Sequence, residues 1–223
     1  MSPLILAVDT THQWGSLALA RGEIILEQVE IEAPDGFAHV IYEPLSDLLA
    51  RHGVTACEIG CFAAAAGPGS FTGVRVGLAC VKGLAEACGG GAVGVSNLEA
   101  LASCGSGGFR AAVMDARRGE VYGAVYDGEG RVVIPETVGR FDAWLESLPA
   151  AELGFVHMGF ADLRTMLEGT RYENASLIAA PRGLAASIAR IAFRRFVCGE
   201  AQDPAALDAN YVRRSDAELF WKD

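Results

Sequence analysis

The chain has 223 residues, enough for one large domain or two small lobes, and it is 51% hydrophobic and 21% charged, as globular proteins are. No apolar run of about 20 residues is free of charge, and the short N-terminal run has no basic region before it, so we expect no membrane helix, no signal peptide and a cytoplasmic protein. The formal net charge of −10 argues against tight binding of nucleic acid by the chain as a whole, because such binders neutralise phosphates with basic patches.

The first half of the chain predicts an antiparallel meander followed by alternating helices and strands. Apolar residues from Phe37 to Leu49 recur at helical spacing, and we expect Pro44 to kink that helix or to mark a shift in it. A second helix at 71–88 carries one face of large residues and another of small ones. Strands are predicted at 4–8, 16–20, 24–31, 59–66 and 92–95, and a short helix at 97–104.

The segment Gly67-Pro68-Gly69 joins the strand at 59–66 to the helix at 71–88. Proline fixes one backbone angle, the glycines permit angles that other residues avoid, and Ser70 or Thr72 can cap the helix. Two interpretations remain open. The loop is a tight strand-to-helix connection, or its N–H groups face an anion or another chain.

The glycine-rich stretch at 105–108 predicts a boundary between an N-terminal lobe, 1–104, and a C-terminal lobe, 105–223. Beyond it the order of meander, helix, strand and helix is repeated. We expect the segment 205–223 to pack along the surface. Strands are predicted at 109–114, 120–127, 131–134 and 153–158, and helices at 140–147 and 181–198.

Signals for catalysis are weak. The six cysteines form no C-x-x-C pair and no histidine cluster accompanies them, so we expect no zinc site and mostly buried free thiols. No Walker A motif, dinucleotide fingerprint or nucleophile elbow is present, and His39 with Glu43 is typical of a helix surface pair. Asp9 follows a buried strand, where it either orients a phosphate–magnesium unit or bonds its own turn.

Five segments, in order along the chain, resemble the TsaB (YeaZ-like) proteins. They include "VGVSNLEALA" at 93–102 and "MDARRGEVY" at 114–122. The others are 4–11, 63–85 and 210–214. These proteins are non-catalytic relatives of the TsaD ligase in the actin-like ATPase superfamily. The resemblance implies an α/β fold with two ribonuclease H-like lobes, each a mixed five-stranded sheet flanked by helices.

The resemblance also implies a function and partners. It indicates a non-catalytic subunit of the bacterial machinery that makes threonylcarbamoyladenosine (t6A) in tRNA, a subunit that binds and activates the TsaD threonylcarbamoyltransferase. The TsaE ATPase joins the complex, tRNA is reached indirectly through it, and the isolated chain is expected to form a homodimer. We expect no membrane partner and no tightly bound cofactor, with ATP or ADP bound only in the complex.

Several residues become candidates through this resemblance. TsaD carries two metal-binding histidines four residues apart, and the corresponding positions here are Asn97 and Leu101, so we expect no metal. The family pairs through the helices at 37–51 and 71–87, although both apolar stripes could instead cover their own sheet. The candidate partner-interface residues are Ile41, Leu45, Leu48, Val76, Ala79 and Gly83, and the candidate ligand-binding residues are Asp9, Thr10, Gly67, Gly69, Ser70 and Arg117.

Two alternative functions remain open at this stage. The first is an active actin-like ATPase or small-molecule kinase, which a magnesium-dependent ATP site in the isolated chain would favour. The second is an M22-type peptidase, the older label of this branch. Metal content and peptide turnover by the pure protein distinguish it from a non-catalytic subunit.

Overall fold

The computed structural model describes residues 2–212 and divides them into two compact units. The first unit contains residues 2–97 and 182–210, and the second contains 98–181 with 211–212. Each unit is built on a mixed five-stranded sheet, which confirms the predicted fold class. The helices are α1 (Tyr42–Arg51), α2 (Phe71–Cys88), α3 (Asn97–Ala102), α4 (Phe141–Ser147), α5 (Leu163–Leu167) and α6 (Ala185–Val197).

The first sheet has the order β3-β2-β1-β4-β5. Strands β1, β2 and β3 form the predicted antiparallel meander, while β4 and β5 add to β1 in parallel. Its strands are β1 (Leu4–Asp9), β2 (Trp14–Arg21), β3 (Ile24–Glu32), β4 (Ile59–Gly67) and β5 (Gly91–Ser96). Strands β1 and β4 are almost entirely buried, as expected for central strands covered on both faces.

Helices cover both faces of the first sheet. Leu4, Leu6 and Val8 of β1 share a core with α1 and α2, and the intervening residues point to the other face, which α6 covers. The helix α1 begins at Tyr42, so Pro44 lies in its first turn, where N–H groups lack intrahelical partners anyway. At this position proline breaks no hydrogen bond within the helix, so it gives no reason for the predicted kink.

The second sheet repeats the first in topology, with the order β10-β9-β6-β7-β8. Strands β6, β7 and β8 form an antiparallel meander, and β9 and β10 follow β6 in parallel. Helices α4 and α5 pack on one face, and α3 packs on the other. The strands are β6 (Phe109–Asp115), β7 (Glu120–Asp127), β8 (Val132–Arg140), β9 (Leu153–Met158) and β10 (Ser176–Ala179).

The division into units differs from the predicted lobes, 1–104 and 105–223. Helix α6 packs on β1, β2, β4 and β5 of the first sheet, so the chain returns to the first unit at residue 182. The following segment also belongs there, because Leu207 is buried in that core and residues 92 and 202 form an isolated bridge. Most of the predicted surface tail, 205–223, lies beyond residue 212 and so outside the described residues. Arg213 and Arg214, which belong to the C-terminal segment that resembles TsaB, lie outside them too. Within residues 2–212, no helix combines the length and apolar character needed to cross a membrane.

Candidate functional site

Strand β1 ends in a fully buried carboxylate, Asp9. Asp9 Oδ1 accepts hydrogen bonds from the backbone N–H of Thr11 at 3.0 Å and from Thr11 Oγ1 at 2.6 Å. The other oxygen, Oδ2, is buried and has no hydrogen-bond partner among residues 2–212. Asp9 therefore bonds its own turn, which was one of the two interpretations of this residue.

Asn97 joins three separate segments of the first unit. Its Oδ1 accepts from the backbone N–H of Gly67 at 3.1 Å, and its Nδ2 donates to Thr11 Oγ1 and to His12 Nε2, the latter at 2.9 Å. Since Thr11 Oγ1 in turn donates a hydrogen bond to Asp9 Oδ1, the donors and acceptors form one continuous chain. The fully buried Asn97 thereby holds the β1–β2 turn against the loop that ends β4.

His12 completes this polar cluster as a neutral side chain. Burial lowers the pKa of His12 below its usual range, and the nearby Asp9 carboxylate opposes that shift. A hydrogen bond from Asn97 Nδ2 to Nε2 requires an unprotonated Nε2, so the ring carries its proton on Nδ1. Sequence reasoning missed Thr11 and His12, although they lie only two and three residues after Asp9.

The loop from Gly67 to Ser70 is locked against the same turn. The backbone N–H of Ser70 donates to Thr11 O at 2.8 Å, and Ser70 Oγ caps α2 by accepting from the N–H of Gly73 at 3.3 Å. A Cβ on Gly69 would lie 2.7 Å from Thr11 O, and one on Gly73 would lie 2.0 Å from Thr10 O. Only glycine permits this approach, so the loop is a tight connection whose N–H groups at 67, 70 and 73 already have partners inside the protein.

Five of the six predicted ligand-binding residues meet at this place. Four of them make the contacts given above: Asp9, Gly67, Gly69 and Ser70. The fifth is Thr10, whose Oγ1 donates a hydrogen bond to Gly73 O at 2.7 Å. The sixth, Arg117, belongs to the second unit, where it has a φ of 62° and its N–H donates to Asp115 Oδ1 at 2.8 Å. Asp115 ends β6 as Asp9 ends β1, and each carboxylate accepts from the N–H two residues later.

The two positions that correspond to the metal-binding histidines of TsaD have other uses here. Asn97 is occupied by the hydrogen bonds above, and Leu101 is fully buried in the core that α3 makes with the second sheet. Within residues 2–212, no three His, Cys, Asp or Glu side chains come close enough together to hold a metal ion.

The partner-interface prediction is wrong for the three residues on α1 and the turn before it. Ile41, Leu45 and Leu48 are 1%, 5% and 0% exposed, and all three lie in the core against the first sheet. The helical stripe recognised in the sequence is the inner face of α1, as the alternative interpretation held. The outer face of α1 instead presents Tyr42, which is 59% exposed.

The three predicted residues on α2 differ in their exposure. Val76 is half-buried against the core, while Ala79 and Gly83 are exposed. A Cβ on Gly83 would meet no atom within 4 Å, whereas a Cβ on Gly77 would lie 2.7 Å from Thr10 Oγ1. The helix therefore uses Gly73 and Gly77 for internal packing and leaves Gly83 facing open space.

Comparison with known proteins places this chain in a family. The sequence profile of TsaD, tRNA N6-adenosine threonylcarbamoyltransferase, matches residues 31–199. The chain is 28% identical over 225 residues to the tRNA threonylcarbamoyladenosine biosynthesis protein TsaB of Bacillus subtilis, and the match covers 97% of each chain. It is 36% identical over 126 residues to TsaB of Escherichia coli, where the match covers 55% of this chain and 54% of the relative.

The chain belongs to this family, in its TsaB (YeaZ-like) branch. The solved structure of YeaZ from Pseudomonas aeruginosa agrees, with a TM-score of 0.77 and 27% identity over 95% of this chain and 100% of that one. This chain spans about half the length of the Escherichia coli TsaB that it matches and nearly all of the Bacillus subtilis protein.

Proposed function

We propose that this chain is a non-catalytic TsaB subunit of the machinery that makes threonylcarbamoyladenosine in tRNA, and that it binds and activates TsaD. The observation that carries the proposal is the similarity to Bacillus subtilis TsaB over almost the whole of both chains, together with the loss of the two histidine positions. The similarity to TsaB supports a role in threonylcarbamoyladenosine synthesis, and the absence of histidine at positions 97 and 101 supports a subunit without catalytic activity of its own.

The geometry around Asn97 and Leu101 supports the non-catalytic role. A metal-dependent transferase needs ligands with free lone pairs that converge on one point. Asn97 Oδ1 and Nδ2 are both engaged in hydrogen bonds, and Leu101 offers no donor atom and is buried. These positions stabilise the fold here, so the chemical step belongs to TsaD.

The exposed face of α2 is the proposed TsaD-binding surface. Ala79 and Gly83 let the backbone of a partner helix approach closely, and Gly83 has open space where a side chain would stand. Phe71, 42% exposed and stacked under Arg75 with 3.7 Å between guanidinium carbon and ring centroid, adds apolar area at the start of the helix. Aromatic residues and arginine are enriched at protein–protein interfaces.

The remaining partners follow from the same proposal. TsaE joins the complex, the chain pairs with a second copy of itself when TsaD is absent, and tRNA is contacted mainly by the other subunits. The formal net charge of −10 supports the indirect RNA contact, because an acidic protein repels phosphate. Our proposal also has ATP or ADP bind only within the complex. In support of its absence from the isolated chain, the N–H groups of Gly67, Ser70 and Gly73 are engaged inside the protein rather than facing a phosphate.

Two glycine substitutions on α2 test the proposed surface. Gly83→Leu should weaken the complex with TsaD from the same genome at least about tenfold, because the new side chain would push a partner helix away. The melting temperature should stay the same or rise slightly, since leucine is a better helix former by up to about 1 kcal/mol. Gly77→Leu should instead lower the melting temperature, because its side chain collides with Thr10.

The control is Gly108→Leu, at an exposed glycine of the second unit whose Cβ would also meet nothing within 4 Å. That variant should bind TsaD as the unmodified chain does. Affinity is measured by calorimetry or by co-purification from cells that express both proteins. Unchanged TsaD affinity in Gly83→Leu, with the fold intact, would remove this face of α2 from the interface.

A further inference from the structure

Two cysteines far apart in sequence have their sulfur atoms in contact. Cys57 and Cys88 are 31 residues apart, and their Sγ atoms lie 2.8 Å from each other. Cys57 is exposed and Cys88 is half-buried, so the pair is open to small molecules. All six cysteines are free thiols, but only Cys61 and Cys80 are buried, so the expectation of mostly buried thiols is wrong.

The fold holds both members of the pair in fixed positions. Cys57 lies in the 3-10 helix Ala56–Glu58, which a capping box closes: Glu58 Oε2 accepts from the N–H of Thr55 at 2.7 Å and from Thr55 Oγ1 at 2.8 Å. Cys88 is the last residue of α2 and is followed by Gly89, whose φ of 70° ends the helix. Because both backbones are anchored and the two elements are packed together, the thiols are held side by side.

We propose that Cys57 and Cys88 are a reversible oxidation site, at which a low-molecular-weight disulfide converts the two thiols into an intramolecular disulfide. This inference is independent of the function proposed above. In the first step the Cys57 thiolate attacks one sulfur of the small disulfide, forming a mixed disulfide and releasing one thiolate, which takes up a proton. Cys88 Sγ, losing its own proton, then attacks Cys57 Sγ, and the second small thiol leaves. Two protein thiols are thus oxidised and one small disulfide is reduced to two thiols.

Burial separates the two core cysteines from this accessible pair. Burial raises the pKa of Cys61 to about 12 and that of Cys80 to about 11, so these thiols hold almost no thiolate at neutral pH. The hydrogen bond with Cys57 raises the pKa of Cys88 as well. Cys57, the more exposed sulfur, is therefore the attacking group, and Cys88 is the resolving one. In a reducing compartment such a bond is transient, which suits a regulatory modification rather than a structural one.

The test exposes the folded protein to oxidised glutathione and then maps the linkage by mass spectrometry. Trypsin places Cys57 in the peptide 52–75 and Cys88 in the peptide 83–110, so the disulfide appears as a link between these two peptides. The peptides also contain Cys61 and Cys104, so fragmentation of the linked pair and the serine variants below assign the two sulfurs. The unmodified chain should lose two thiols and two hydrogen atoms, and dithiothreitol should restore both. Its melting temperature should rise by about 5–10 °C on oxidation, because the closed loop restricts the unfolded chain.

Three single variants make the result specific. Cys57→Ser and Cys88→Ser should each abolish the link and the rise in melting temperature, whereas Cys198→Ser, at another exposed cysteine, should behave as the unmodified chain does. Circular dichroism before oxidation verifies that each variant is folded. The proposal is overturned if oxidation yields only mixed disulfides with glutathione, or if the link persists in either of the first two variants.

Discussion

Replacing Asn97 with alanine should destabilise the first unit strongly. The change deletes both polar atoms that join the β1–β2 turn to the loop after β4, so the buried Gly67 N–H and Thr11 Oγ1 each lose a partner, and so does His12 Nε2. Each buried polar group left without a partner costs about 1–3 kcal/mol, and local relaxation recovers part of the summed cost of these three groups. We expect a loss of about 3 kcal/mol.

The assay is thermal and urea unfolding of Asn97→Ala beside the unmodified chain. In a chain of this size, about 3 kcal/mol corresponds to a fall in melting temperature of about 6–12 °C. Asn174→Ala is the matched control, because the Asn174 side chain is exposed and, among residues 2–212, bonds only its neighbour Glu173 at 3.4 Å. That variant should change stability by less than about 0.5 kcal/mol. A loss below about 1 kcal/mol for Asn97→Ala would show that the polar cluster does not hold these segments together.

Two further predictions concern protonation and metal content. The pKa of His12 is lowered in the folded chain. When the pH is below the ordinary histidine pKa of about 6.5, the unfolded chain therefore binds a proton that the folded chain does not bind. The free energy of unfolding should fall as the pH drops from about 7 to about 5.5. His12→Gln, which keeps an acceptor for Asn97, should flatten this slope in urea unfolding, whereas His39→Gln, at an exposed position, should leave it unchanged. Elemental analysis of the pure protein should find no stoichiometric zinc or iron, and about one atom per chain would contradict the interpretation of Asn97 and Leu101.

Much of the fold could be predicted because apolar periodicity reports burial directly. The meander, β4, α2 and β9 appear close to their predicted bounds, since each is a long apolar or periodic run. The short elements α5 and β10 were missed, because five and four residues carry too little pattern. The return of α6 to the first sheet was also missed, since a helix stripe shows that one face is buried but not against which sheet.

Only the locally encoded parts of the candidate site could be predicted from the sequence. The turn at Asp9 and the loop at Gly67 stand out by composition, but the hydrogen bonds through Asn97 and His12 join residues more than eighty positions apart. The stripe of Ile41, Leu45 and Leu48 was assigned to a partner because sequence alone does not say whether an apolar face meets its own core or another chain. The contact between Cys57 and Cys88 likewise depends on how a 3-10 helix packs beside α2.

The most direct test of the central claim is reconstitution of tRNA modification with purified proteins. TsaD and TsaE from the same genome are incubated with tRNA, ATP and the threonylcarbamoyl donor, with and without this chain, and t6A is quantified by mass spectrometry of the digested tRNA. The account predicts that t6A forms only when the chain is present and that the chain alone modifies no tRNA. Equal modification by TsaD and TsaE without the chain would contradict it.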